Sequence, residues 1–345
     1  MKYIFFVTTF GSIYDRALSL MEEKKDKGEV IVVASTEQIK LFFQHYTDFK
    51  VIRTRVHPDL VTRKTKYFLF VNILRSKLEF QELFRDIENS EIYFCNKSYA
   101  LVIYSYIKKL SKRNKIFFYG HEQDEMILVY PAEHSLRAFI LRGVAKWFMG
   151  VEVNIFNNGG YPFWEVTKKY FENITIIKEY TRDKKQILDK YSIKLDILKG
   201  KKVLIAIEDS VASGLITKSE FVTKMDQMMD LLNTIIPGAF TIKPHPRLDT
   251  LYGKMSACTD VVPSYIPIEF ILHHDWQLVI GINSWSVVQA TRLTNAKAIS
   301  LIDAVTFIDE NMRIKFRNWI EKESGKKVEF FGNIDDLKKV LEQVK

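Results

Sequence analysis

The residues best suited to chemistry stand in the run Lys243-Pro244-His245-Pro246-Arg247. It follows Phe240-Thr241-Ile242, which reads as a strand, and ligands of open α/β sheets bind beyond the carboxyl ends of strands. A proline keeps the residue before it extended, so Pro244 and Pro246 stiffen the loop and fix where His245 points. A rigid imidazole between Lys243 and Arg247 suits a phosphate, whose oxygens accept charge-assisted hydrogen bonds. A second run, Ile280-Gly281-Ile282-Asn283-Ser284-Trp285-Ser286, ends a buried strand at Gly281 and opens a helix at the serines. Unpaired N–H groups, the helix dipole and the hydroxyls of Ser284 and Ser286 make such a turn an anion site. A plain serine N-cap is the simpler account of that turn alone. Its place on the same expected sheet as the His-Pro loop aims two phosphate devices at one cleft. Between them, Pro267-Ile268-Glu269-Phe270 puts Glu269 in the first turn of an expected helix, over Pro267 to His273. There it partners the dipole or accepts the ribose hydroxyls of a nucleoside.

Elements able to position these groups alternate along the chain. Tyr3 to Thr8 and Glu29 to Ala34 are continuous apolar strands, the type buried on both faces. Helical spacing runs through Met21 after the first and from Thr36 to Tyr46 after the second. Ile92 to Cys95 and Ile116 to Tyr119 flank a helix over Tyr99 to Lys112. After the turn cluster Asn157 to Pro162 the alternation resumes with strands at Lys202 to Ile207, Phe240 to Lys243, Val261-Val262, Gln277 to Gly281 and Ala298 to Ile302, and helices over Lys218 to Ile235 and from Ser286. Strands alternating with helices predict an α/β fold of two Rossmann-like domains, residues 1–175 and 176–345, facing a central cleft. Residues 134–150 read as an amphipathic helix carrying Arg137, Arg142 and Lys146, packed on its sheet or lying on a membrane surface.

Composition narrows the function classes. Of 345 residues, 47% are hydrophobic and 27% charged, enough for full cores, which excludes disorder and coiled coil. Two cysteines, Cys95 and Cys258, give neither a disulfide framework nor a zinc spacing and point to a reducing, cytoplasmic setting. The start of the chain lacks the apolar run of a signal peptide, and no stretch is long enough to span a membrane. The net charge of +9 is scattered over pairs such as Lys108-Lys109, Lys168-Lys169 and Lys201-Lys202. A nucleic-acid binder concentrates its charge on one face, so no nucleic-acid partner is expected. Dispersed charge of this kind reads first as a solvated surface, and beyond that as attraction to an anionic lipid surface or an anionic substrate.

The second half resembles the bacterial sialyltransferases of the GT-B type, in particular the lipooligosaccharide sialyltransferase family (glycosyltransferase family 52) and, more distantly, the bacterial polysialyltransferases. Lys243 to Arg247 match the family's His-Pro motif, Ile266-Pro267-Ile268-Glu269 its nucleotide helix, and Ser284-Trp285-Ser286 its paired-serine motif, interrupted here by Trp285. The resemblance implies a GT-B fold and inverting, metal-independent transfer of sialic acid from CMP-sialic acid to a sugar hydroxyl of a surface glycan or glycolipid, with no cofactor; the alternatives are another GT-B transferase with a His-Pro loop, acting on Kdo or a polyol phosphate, and a non-catalytic nucleotide-sugar- or glycan-binding protein. It implies His245 and the serines on the CMP phosphate and Glu269 on the ribose, and it hints at a homodimer; the positive charge, for its part, suits a cytoplasmic enzyme that meets the inner face of the plasma membrane. The family's acidic motif, which supplies the general base, has no clean copy. Glu122 or Asp124, in Gly120-His121-Glu122-Gln123-Asp124-Glu125, fills that role by position; Glu208-Asp209, after the strand Val203 to Ile207, is the second choice.

Overall fold

Six strands form the first sheet: β1 (Lys2–Val7), β2 (Glu29–Ala34), β3 (Lys50–Arg53), β4 (Glu91–Phe94), β5 (Lys115–Phe118) and β6 (Ile174–Ile176). Their order is β3-β2-β1-β4-β5-β6 and every pairing is parallel. This is the winding of a dinucleotide-type Rossmann sheet. The structure, a computed structural model, describes residues 1–7, 13–54, 69–95, 107–119, 173–177, 184–193, 195–246, 248 and 250–344. The expected helix over 134–150, the turn cluster Asn157 to Pro162, and Glu122, Asp124 and Arg247 lie outside the described residues. The chain divides into two units, Met1–Ile187 and Leu188–Lys345.

Aromatic side chains set the packing of the first unit. Register aligns Phe5 with Tyr93 and Tyr93 with Phe117, and their rings stack at 4.3 and 4.8 Å. The opposite face carries Phe6, Phe94 and Phe118, all buried, as the alternation of a strand requires. Helix α1 (Tyr14–Lys24) lays Tyr14 against Phe42 and Phe43 of α2 (Glu37–Tyr46), at 4.8 and 5.1 Å. Thr36 starts α2 by accepting the Ile39 N–H at 3.3 Å. Helix α3 (Leu69–Phe84) contributes Phe80 and Phe84 to the core, and α4 (Lys184–Lys190) spans the division between the units.

The second sheet is aliphatic. It contains β7 (Val203–Ile207), β8 (Phe240–Pro244), β9 (Leu278–Gly281), β10 (Lys297–Ser300) and β11 (Val328–Phe330), all parallel, in the order β11-β10-β9-β7-β8. Counted from its own first strand this is the 2-1-3-4-5 order of flavodoxin-like sheets. Helices α5 (Lys218–Ile235), α6 (Trp285–Leu293), α7 (Glu310–Glu323) and α8 (Leu337–Leu341) complete the unit. Thr217 caps α5 through the Glu220 N–H at 3.3 Å, while the Glu220 carboxylate accepts from Thr306 N at 2.9 Å and so ties the helix start to a neighbouring loop. Proline is tolerated in β8 because it closes the edge strand of the sheet. Val261 adds an isolated parallel bridge to Ile242 on that edge.

One expected helix is corrected. Pro267 to His273 does not form an α-helix but holds a single 3-10 turn, Ile268–Phe270. Ile268, Glu269, Phe270, Ile271 and Leu272 are all buried, so no polar face remains for an amphipathic helix to turn to water. Among the described residues no helix is long and apolar enough to cross a membrane.

Candidate functional site

The winding of the second sheet reverses between β7 and β9. The chain leaves β7 toward β8 on one side and leaves β9 toward β10 on the other, which opens a crevice beyond their carboxyl ends, the usual ligand position in such sheets. Glu208, Asp209 and Ser210 follow β7; Ile282, Asn283 and Ser284 follow β9; His245 and Pro246 follow β8. Hydrogen bonds cross between the first two loops. The Ile282 N–H donates to Glu208 Oε1 at 3.3 Å, and Ser210 Oγ donates to Asn283 Oδ1 at 2.8 Å. Ser210 and Asn283 carry no motif of their own; their only sequence signal is a place just after a buried strand.

The two serines of the expected motif have different tasks. Ser284 is the N-cap of α6: it is buried, and its Oγ accepts the Ser286 N–H at 3.0 Å. Ser286 is half-buried in the first turn of that helix, leaving its hydroxyl the better placed of the two for a ligand. Trp285, the residue between them, stacks on Trp319 of α7 at 5.2 Å, and the Arg292 guanidinium lies over its ring at 4.9 Å. The interruption of the serine pair is thus a packing anchor for α6.

Lys243 is 4% exposed. Its Nζ donates to Pro244 O at 2.6 Å and to Ser264 O at 3.3 Å, binding the His-Pro loop to the loop that leads into Glu269. Burial pushes its ammonium down to about 7, and the Glu269 carboxylate acts in the opposite direction. Glu269 is itself buried, so its geometry suits the task of balancing Lys243. His245 is half-buried, and its loop is closed by the Leu248 N–H donating to His245 O at 3.0 Å.

The adjacent acids of β7 separate. Glu208 turns inward and Asp209 stays half-buried at the edge, with its main-chain oxygen accepting from Ser213 N at 2.8 Å and Ser213 Oγ at 2.9 Å. Glu208 Oε2 is buried with no hydrogen-bond partner. Burial pushes the Glu208 carboxyl up to about 8, against the hydrogen bonds from its own backbone, Ser284 and Ile282. The folded value lies above the unfolded one, so this group weakens the fold as pH rises from 4.5 to about 8 and adds nothing further beyond.

Gly281 makes this arrangement possible. A Cβ there would stand 2.9 Å from Glu208 Oε1 and 3.1 Å from both Ser284 Cβ and Val287 Cγ1. Gly281→Ala is therefore expected to cost about 1–3 kcal/mol, as overpacking in a close-packed interior does. Urea unfolding measures it; a loss below about 0.5 kcal/mol would mean that Glu208 swings aside freely. No group of His, Cys, Asp and Glu suited to a metal occurs among the described residues.

Neither a family model nor a curated protein matches the chain. Solved structures do. The glycotransferase of kitacinnamycin superposes with a TM-score of 0.51 at 7% identity, covering 99% of this chain and 90% of that one. A putative UDP-N-acetylglucosamine 2-epimerase from Listeria monocytogenes gives 0.49 at 12% identity over 98% and 86%. A sialyltransferase from Photobacterium damsela gives 0.44 at 11% identity over 96% and 81%. The fold is accordingly the GT-B type: an α/β chain whose parallel sheets match a glycosyltransferase along nearly its whole length.

Proposed function

We propose that this chain is an inverting, metal-independent glycosyltransferase that moves sialic acid from CMP-sialic acid to a sugar hydroxyl of a bacterial surface glycan such as lipooligosaccharide, capsule or O-antigen. The observation that carries the reading is the shared sheet edge of the His-Pro loop and the α6 N-terminus, one on each side of β7. In this reading His245, the Ser286 hydroxyl and the first N–H groups of α6 hold the CMP phosphate, where charge grows as the glycosidic bond breaks. Preorganised donors at such a position are often the largest single catalytic contribution. Lys243 and Glu269 stand behind them and fix the two loops. A carboxylate takes the proton of the attacking hydroxyl, and Asp209 is the acid at this edge with access to solvent. The net charge of +9 suits an anionic acceptor.

A panel of CMP-, CDP- and UDP-linked sugars tests the donor, with EDTA present throughout. CMP-sialic acid at about 100 times its Kd is expected to add about 2.7 kcal/mol, a shift of a few degrees in Tm, and to yield a sialylated product by mass. A shift with UDP-sugars alone would remove sialic acid from the reading, and a shift with CDP-linked polyols would favour polyol-phosphate transfer.

A further inference from the structure

Glu208 has no evident place in phosphate binding if it is charged. It projects at the start of the β9–α6 turn, where N–H groups and the helix dipole favour an anion, and its own carboxylate would compete with a phosphate for that field. The geometry argues that it is neutral. Oε1 receives the Ile282 N–H, and the residue's own backbone and Ser284 also donate to the carboxyl, but Oε2 is sealed from water with no hydrogen-bond partner. An ionised carboxylate left in this way would hold an unsolvated charge in a close-packed turn, whereas a protonated one leaves only a neutral group unpaired.

We propose that Glu208 is a positioning residue that works in its proton-bearing form: it fixes the β9–α6 turn through Ile282 while leaving the helix N-terminus positive enough to take the phosphate of the donor. Loss of its proton then places a negative charge beside the bound anion and expels it. The inference rests on the reading of this edge as a phosphate site. It sets Glu208 apart from the general base, which must be ionised to act.

The groups that face Glu208 support this assignment. Asp209, on the same loop, adds negative charge and favours the protonated form. Lys243 of β8 pairs in register with Ala206 and so shares the face of Glu208, but its ammonium is bound to the Pro244 and Ser264 carbonyls and balanced by Glu269. His245 lies beyond β8, and α6 brings no acid in its first turn and only Arg292 at its far end. Burial, which pushes the Glu208 carboxyl up to about 8, agrees with the geometry.

The test is the pH dependence of ligand binding by the full chain, measured by calorimetry at pH 7 and pH 9.5. The second ionisation of the CMP phosphate lies near pH 6, so it is already about nine-tenths complete at pH 7 and contributes little to a change between pH 7 and pH 9.5. Native protein is expected to bind CMP at least about tenfold more weakly at pH 9.5, because binding then requires protonating Glu208. Glu208→Gln keeps the shape and the neutral state, so it should bind with nearly equal affinity at both values. A native protein with pH-independent affinity overturns the proposal without needing the variant to fold. An alkaline loss that persists in Glu208→Gln also overturns it and belongs to Lys243. Inorganic phosphate and pyrophosphate are run in parallel. If they show the expected pattern and CMP does not bind, the role of Glu208 stands and the CMP donor falls. If none of the three binds at either pH, the phosphate site itself is refuted, and the proposal with it.

Discussion

His245→Ala should lower turnover with CMP-sialic acid by about 10²–10³-fold, the usual consequence of removing one positioned donor from a developing negative charge. The phosphate of the departing CMP gains charge only as the bond to the sugar breaks, so the interaction is stronger in the transition state than in the bound substrate. The loss is therefore expected mainly in kcat, with KM changed much less. Stability should be nearly untouched. His245 is half-buried in a loop, while the packing of β8 rests on Phe240 and Ile242, both buried. Steady-state CMP release together with a urea midpoint separates these quantities. Turnover at the native rate would take His245 out of the site, and a collapsed midpoint would show that the loop holds the sheet together.

A comparable loss is expected from Asp209→Asn, about 10²–10⁴-fold in transfer, since general-base assistance has that size. The substitution keeps the shape of the side chain and removes only its charge. Donor affinity should accordingly hold, and a single-turnover assay with saturating CMP-sialic acid isolates the chemical step. Glu122→Gln and Asp124→Asn are the comparison. If Asp209→Asn transfers at the native rate and one of those two does not, the base belongs to the stretch Gly120 to Glu125, where its position in sequence first suggested it.

Much of the architecture is legible in the residues because buried parallel strands are written as uninterrupted apolar runs. Val203 to Ile207 and Glu29 to Ala34 need no further cue, and the helix Lys218–Ile235 is framed by a cap at Thr217 and by a turn glycine at Gly238, whose φ is 75°. Helix α7 is harder to read. Only Phe316 and Ile320 are buried along it, too thin a stripe to stand out from its charged residues, although the Asp309 cap was available as a signal. Ile266 to Leu272 misleads in the opposite direction, since an apolar cluster buried on every side carries no period. Site residues are legible by type and not by role. Neighbouring acids at 208 and 209 look alike in sequence; only the absent side chain of Gly281 and the turn after β9 decide that one of them is drawn inside. The serines of 284 and 286 are likewise equivalent until the start of α6 assigns the cap to the first.

Strand β6, which completes the first sheet, has a consequence for the synthesis of the chain. It pairs with β5, yet Ile174 leaves the ribosome 56 residues after Phe118, by 174 − 118. At about 5–20 residues per second that interval is about 3–11 s. Until it ends, Ile116, Phe117 and Phe118 hold an open row of N–H and C=O groups on one side, a template for pairing with another nascent copy. Expression at lower temperature, or co-expression with a chaperone that shields such edges, should raise the yield of folded protein more than any change made in the second unit.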